Sequence, residues 1–162
     1  MRAQTYVAML LVLALGGCAQ LQSAKPGTPV ADIIKQFGKP TIACRNPDGT
    51  ERLVWSLQPF GRYAWGTNIT KDNTIGPVTQ VLTDAHFEVL STGTWSDERV
   101  RCEFGPPADI GGIAKGNEKV WAYRYYESSV WYSLMYVYMG PNGNLANRHN
   151  PGPDPAYLLN DR

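Results

Sequence analysis

The sequence predicts an α+β fold of two tandem units, each a short helix or helix pair packed on a three- to four-stranded antiparallel sheet. Three observations predict it. Two short amphipathic segments each end at a Gly-x-Pro stop, at Gly38-Lys39-Pro40 and at Gly105-Pro106-Pro107. Each stop is followed by extended segments separated by turn residues. The whole order then recurs at a nearly fixed offset: Ile33 to Val100, Phe37 to Phe104 and Pro40 to Pro107 are each 67 residues apart, and Trp55 to Trp121 is 66. A repeat of this length describes a duplicated small domain rather than a solenoid.

The chain begins with a leader. One basic residue, Arg2, precedes an uncharged apolar run from Tyr6 to Leu15, the n-region and h-region of a secretory signal. Spanning a bilayer takes about 20 apolar residues, so the run is too short for a permanent transmembrane helix. Leu15-Gly16-Gly17-Cys18 follows and has the form of a lipobox, an aliphatic residue and two small ones before the cysteine that receives the lipid. Residues 1–17 are therefore expected to be removed and Cys18 to be acylated, with palmitate among the attached chains. Ala19 after the cysteine resembles the outer-membrane default of Gram-negative lipoproteins. Residues 18–26 read as a lipidated polar tether.

The first unit is expected over residues 27–83. Thr28 is placed to cap a helix opened by Pro29, and Val30, Ile33, Ile34 and Phe37 share one face. Thr41 to Arg45 and Leu53 to Leu57 read as strands around the turn Asn46-Pro47-Asp48-Gly49. Arg62 to Ile69 and Val78 to Leu82 would complete the sheet.

The second unit is expected over residues 84–149. Thr83 starts a helix from Asp84 to Leu90, and Ser96 caps a second from Asp97 to Phe104, whose acidic first turn suits the helix dipole. Ala108 to Ile113, Val120 to Tyr126 and Val130 to Met139 read as strands, with a hairpin signal at Asn142-Gly143 and a closing strand from Asn144 to Arg148. Residues 150–162 open with Asn150-Pro-Gly-Pro-Asp-Pro and read as a Pro-rich tail unable to continue a strand or helix.

Lys and Arg total 15 and Asp and Glu 14; without Arg2 the formal balance is zero. Long-range attraction to nucleic acid or to an acidic surface is thereby excluded. Cys44 and Cys102 would lie in an oxidising compartment and can pair if their Cα atoms come within about 7 Å, which spacing alone does not decide. His86 and His149 stand at no ligand-like spacing from them, so no metal and no cofactor is expected. The acidic residues fall in turns and helix starts, and no nucleophile–base pattern or phosphate loop is present. The chain is not expected to be an enzyme; an uncharacterised hydrolase would have to build on His86 or His149 beside an acidic group in a cleft.

Aromatic residues are concentrated in the second unit. Trp121, Tyr123, Tyr125, Tyr126, Trp131, Tyr132, Tyr136 and Tyr138 lie within 18 positions. Alternation puts Trp121, Tyr123 and Tyr125 on one face of a strand, and Tyr132, Tyr136 and Tyr138 on one face of the next. A helical cover buries one face of such a sheet, and the other is left to water or to a partner. These six residues are the candidate partner-binding set, some of them expected to serve the core.

The lipobox, the Phe-Gly-x-Pro helix stops, Asp48-Gly49, Val54-Trp55, and in the second half His86-Phe87, Gly93-Thr94 and Val120-Trp121-Ala122-Tyr123-Arg124-Tyr125 together resemble the SmpA/OmlA (BamE-like) family of outer-membrane assembly lipoproteins. The resemblance spans most of the mature chain through short motifs. It implies a helix pair on a three-stranded antiparallel sheet, lipid-anchored to the outer membrane, facing the periplasm and acting by protein binding. A tandem pair of such units is similar in architecture to the β-lactamase inhibitor protein. Inhibition of a periplasmic enzyme is therefore the alternative to a role in envelope or β-barrel assembly.

Overall fold

A computed structural model describes residues 21–113, 118–140 and 145–158. The expected leader, Cys18 and the expected Asn142-Gly143 turn lie outside those residues.

The chain enters through a single 3-10 turn, Leu21–Ser23. This is not a free tether: Leu21 is buried among Val30, Ile33, Leu53, Trp55, Trp65 and Ile75, and the Gly27 N–H donates to the Ile75 carbonyl. An apolar side chain with a core to enter outweighs the polarity of its neighbours.

Helix α1 (Val30–Phe37) follows. Thr28 does not cap it as expected; its hydroxyl turns back to the Lys25 carbonyl, and the Val30 N–H is satisfied by the Asn73 carbonyl instead. The helix ends where Gly38 takes φ of 81° and ψ of 178°, a region that costs residues other than glycine about 1–3 kcal/mol. Strands β1 (Ile42–Arg45), β2 (Glu51–Ser56), β3 (Ala64–Asn68) and β4 (Thr79–Gln80) then form a sequential antiparallel meander.

Helix α2 (Asp84–Phe87) is capped by Thr83, whose side chain accepts from the His86 N–H, and continues as a 3-10 turn, Glu88–Ser91. A two-residue strand β5 (Trp95–Ser96) leads into α3 (Asp97–Phe104), where the Ser96 hydroxyl accepts from the Arg99 N–H. Gly105, at φ of 83°, ends α3 as Gly38 ends α1. Strands β6 (Asp109–Ile113), β7 (Glu118–Glu127) and β8 (Trp131–Tyr138) follow. After β8, β9 (Leu145–Ala146) pairs with β5 rather than closing the second sheet, and β10 (Arg148–Pro153) takes that place, giving the order β10-β8-β7-β6.

The Pro-rich segment is thus an edge strand, contrary to expectation. The Asp154 N–H donates to the Tyr132 carbonyl. By alternation Gly152 and Asn150 also face β8, and Pro151 and Pro153 turn their missing donors away from the ladder. Helix α4 (Pro155–Leu158) ends the described chain.

The two sheets are covered differently. On the first, Leu53, Trp55 and Trp65 meet α1 on one face. Val54 and Ala64 on the opposite face join Phe87, Val100 and Phe104 of the helices, and with them Trp121, Tyr123, Tyr125, Met135 and Val137 of the second sheet. Helices α2 and α3 therefore lie between the sheets and bury one face of each. Arg52 holds this arrangement: its Nε and Nη2 donate to the last carbonyls of α3, at Cys102 (3.2 Å) and Glu103 (3.3 Å). A cation there complements the negative end of the helix dipole. A disulfide between Cys44 of β1 and Cys102 of α3 fixes the same contact, with the two Cα atoms 5.9 Å apart.

The helix stops are tied down alike in the two halves. Trp55 Nε1 donates to the Gly38 carbonyl at 3.0 Å, and Tyr123 Oη donates to the Gly105 carbonyl at 3.2 Å.

Candidate functional site

The second sheet is open on its outer face, where Tyr126 and Tyr132 stand, while Trp131 alternates to the face of Tyr125; three features build a surface around the β7–β8 end of the sheet. The first is the β7–β8 turn. Ser128 and Ser129 take φ of 51° and 62°, so the first two residues of the three-residue loop between Glu127 and Trp131 are left-handed. Such values are strained for serine. Asp84 holds the turn, its carboxylate accepting from the Ser128 N–H at 2.7 Å and the Tyr125 hydroxyl at 2.9 Å. The turn presents Val130 and Trp131, which are 65% and 68% exposed.

The second feature is the loop from Leu57 to Arg62, which comes from the first half and docks on the second sheet. The Gln58 side chain pairs with the backbone of Arg124, donating to its carbonyl at 2.7 Å and accepting from its N–H at 3.3 Å. In effect it extends the β6 position along β7. Arg124 in turn donates to the Pro59 carbonyl. The loop carries Phe60, 86% exposed.

The third is an ionic and aromatic cluster at the chain's end. Asp154, 1% exposed, accepts from Arg124 Nε at 3.0 Å and Arg62 Nη2 at 3.4 Å. The Arg62 guanidinium lies 4.3 Å from the ring centres of both Tyr132 and Tyr157. Buried carboxylate and guanidinium satisfy one another's charge, and the rings add cation–π attraction. Val130, Trp131, Tyr132 and Tyr157, with Pro151 and Pro153, line a cleft of about 680 Å³. Glu127 and Asp154 supply its carboxylates; Glu127 is held by the Ser133 hydroxyl at 2.7 Å.

Of the six residues expected to bind a partner, Trp121, Tyr123 and Tyr125 are core residues, 4%, 0% and 0% exposed. That corrects their assignment: their strand face meets α2 and α3, where Phe87 stacks on Phe104 and lies edge-on to Tyr125. Burial also pushes the Tyr123 phenol well above its ordinary pKa, which keeps it a donor to Gly105. Tyr132, Tyr136 and Tyr138 do lie on the outer face. Tyr136 packs over Gly152, where a Cβ would come within 2.8 Å of its ring. Arg148 covers the Tyr138 ring at 3.9 Å and is paired with Glu118. Exposed Phe60, Val130 and Trp131 were missed as site residues. Isolated apolar residues at loop tips carry no periodic signal.

His86 Nε2 donates to Glu103 Oε1 at 2.6 Å, and Arg52 Nη2 donates to the same oxygen at 2.6 Å. Burial raises the Glu103 pKa, but the His86 hydrogen bond and the Arg52 charge more than offset this and hold it below the ordinary value. The cluster bridges α2, α3 and β2. His149 lies 3.8 Å from Glu88. Among the described residues, no group of three or more His, Cys, Asp and Glu is placed to hold a metal, and no helix is long and apolar enough to cross a membrane.

No protein-family model matches the chain, and no curated protein sequence matches it. A DUF4309-family protein of Bacillus subtilis, YjgB, is similar at 15% identity and a TM-score of 0.31, over 79% of this chain and 80% of that one. A likeness at that level carries no inference about fold or function.

Proposed function

We propose that this chain is a lipid-anchored, periplasm-facing outer-membrane lipoprotein, two SmpA/OmlA-like units in tandem, that acts as a protein-binding module in envelope or β-barrel assembly. The observation that carries the binding reading is the exposure of Val130 and Trp131 on the lining of the Tyr132–Tyr157 cleft, with Phe60 exposed on the Leu57–Arg62 loop. Large exposed apolar side chains on segments fixed by hydrogen bonds resemble the rigid aromatic anchors that dominate protein interfaces. The first sheet has helices on both faces, so the docking surface is built around the second sheet.

The leader motif and Leu21 together set the geometry of anchoring. Cys18 stands three positions before the buried Leu21, a reach of about 10 Å at full extension. The module would be held against the membrane, which raises the effective concentration of any partner embedded there.

Affinity purification of the lipidated protein from its own envelope tests the reading. The expected result is an envelope protein that is lost when Trp131 and Phe60 are replaced together by Ser. Recovery of no envelope partner, with wild-type envelope integrity in a deletion strain, overturns it.

A further inference from the structure

We propose that β6 is a docking edge for an extended peptide strand carrying a bulky apolar residue and, two positions away, a basic one. The inference rests on the protein-binding reading above and supplies the chemistry of the partner.

Exposed sheet edges template further strands, and folded proteins blunt them with Pro, charge, brevity or a cover. The other edges here are blunted. β10 turns Pro151 and Pro153 outward, β4 is two residues long, and β1 is clamped to α3 by the disulfide. β6 closes the second sheet on the far side. It is five residues of Asp-Ile-Gly-Gly-Ile, without Pro, Lys or Arg, and residues 109–112 are all exposed.

The outer face beside this edge is shaped to take a side chain. Gly111 pairs with Val120, which pairs with Tyr138; Asp109 pairs with Ala122, which pairs with Tyr136. The small residues form the floor and the two tyrosines the wall of a depression of about 280 Å³. A Cβ built on Gly111 would meet nothing within 4 Å. A strand added to β6 would lie about 4.8 Å away, and its residue opposite Gly111 could lean over the glycine against Tyr136 and Tyr138. Two positions along, on the same face, its residue would stand opposite exposed Asp109, where a cation is favoured. Strand addition of this kind draws affinity from main-chain hydrogen bonds and selectivity from alternate side chains. A second copy paired about Gly111 would set glycine against glycine and Asp109 against Ile113, filling neither feature.

The test titrates the full chain into a fluorescein-labelled nonapeptide of alternating Thr and Val, with a central Phe and a Lys two residues on, read by anisotropy. Replacing the Phe by Gly is expected to weaken binding about tenfold or more, the worth of burying one large side chain. N-methylation of alternate peptide residues is expected to abolish binding in one frame and spare it in the other. Gly111→Leu should fill the depression and remove the preference for Phe, and Asp109→Lys should reverse a preference for Lys over Glu. No saturable binding, equal tolerance of both N-methylation frames, or binding unchanged in both variants overturns the proposal, as does sedimentation showing a dimer that Gly112→Lys dissolves. Trp131→Ser should leave peptide binding intact. Loss of an envelope partner through Trp131 with no peptide binding would reject the β6 edge while leaving the docking reading standing.

Discussion

Cys44 in β1 is bonded to Cys102 in α3 across 58 positions, so the strand that opens the first sheet is covalently tied to a helix of the second unit. With Arg52 donating to the carbonyls of Cys102 and Glu103, the two halves share α3 rather than standing as beads on a string.

Closing a loop of this length restricts the unfolded chain by about 4 kcal/mol in the chain-entropy account. The Cys44→Ser, Cys102→Ser double variant is expected to lose about 2–4 kcal/mol, measured by urea denaturation. Equal midpoints for the variant and the oxidised parent would contradict this.

The acid limb of stability should report on Glu103. Its pKa is depressed in the folded state, so it contributes stability that is present above the unfolded glutamate pKa and is lost as pH falls through the folded value. Glu103→Gln is expected to be less stable at pH 7 and to show a shallower loss of Tm on acidification than the parent. Parallel Tm-against-pH curves would remove Glu103 from the account.

The C-terminal strand depends on Asp154. Removing one partner from a buried ion pair typically costs 3–5 kcal/mol, and Asp154→Ala leaves Arg62 and Arg124 without it. Hydrogen exchange should show faster exchange at Gly152 and Asn150, with β2 and β3 protected as before. Unaltered exchange in β10 would mean that the strand is held by its ladder alone.

Phe60→Ser and Trp131→Ser remove exposed apolar surface and break no hydrogen bond found in the fold. Each is expected to change stability by no more than about 0.5 kcal/mol, as surface substitutions do. A larger loss in calorimetry would make these residues structural.

Most of the framework is legible in the sequence because it rests on local chemistry. Gly38 and Gly105 end helices through positive φ, Thr83 and Ser96 cap them, and strand alternation separates Trp121, Tyr123 and Tyr125 from Tyr126. Which face is buried is set by α3 lying between two sheets, a long-range fact with no local signature. The pairing of Cys44 with Cys102 follows from the same placement. The Ser128-Ser129 turn escapes detection because serine rarely takes left-handed geometry and Asp84, which holds it, is over 40 positions away. The edge strand at Pro151 and Pro153 is hidden because proline excludes only strands that need both sides of the ladder, and here one side is free.

The central claim is that the Trp131 surface is where a partner docks, and site-specific photo-crosslinking of the full chain in the cells that make it tests it most directly. A photoreactive residue at position 131 is expected to give a discrete adduct with an envelope protein, and one at exposed Lys35 on α1 to give none. Adducts of equal yield from both positions, or none from position 131, would contradict the account.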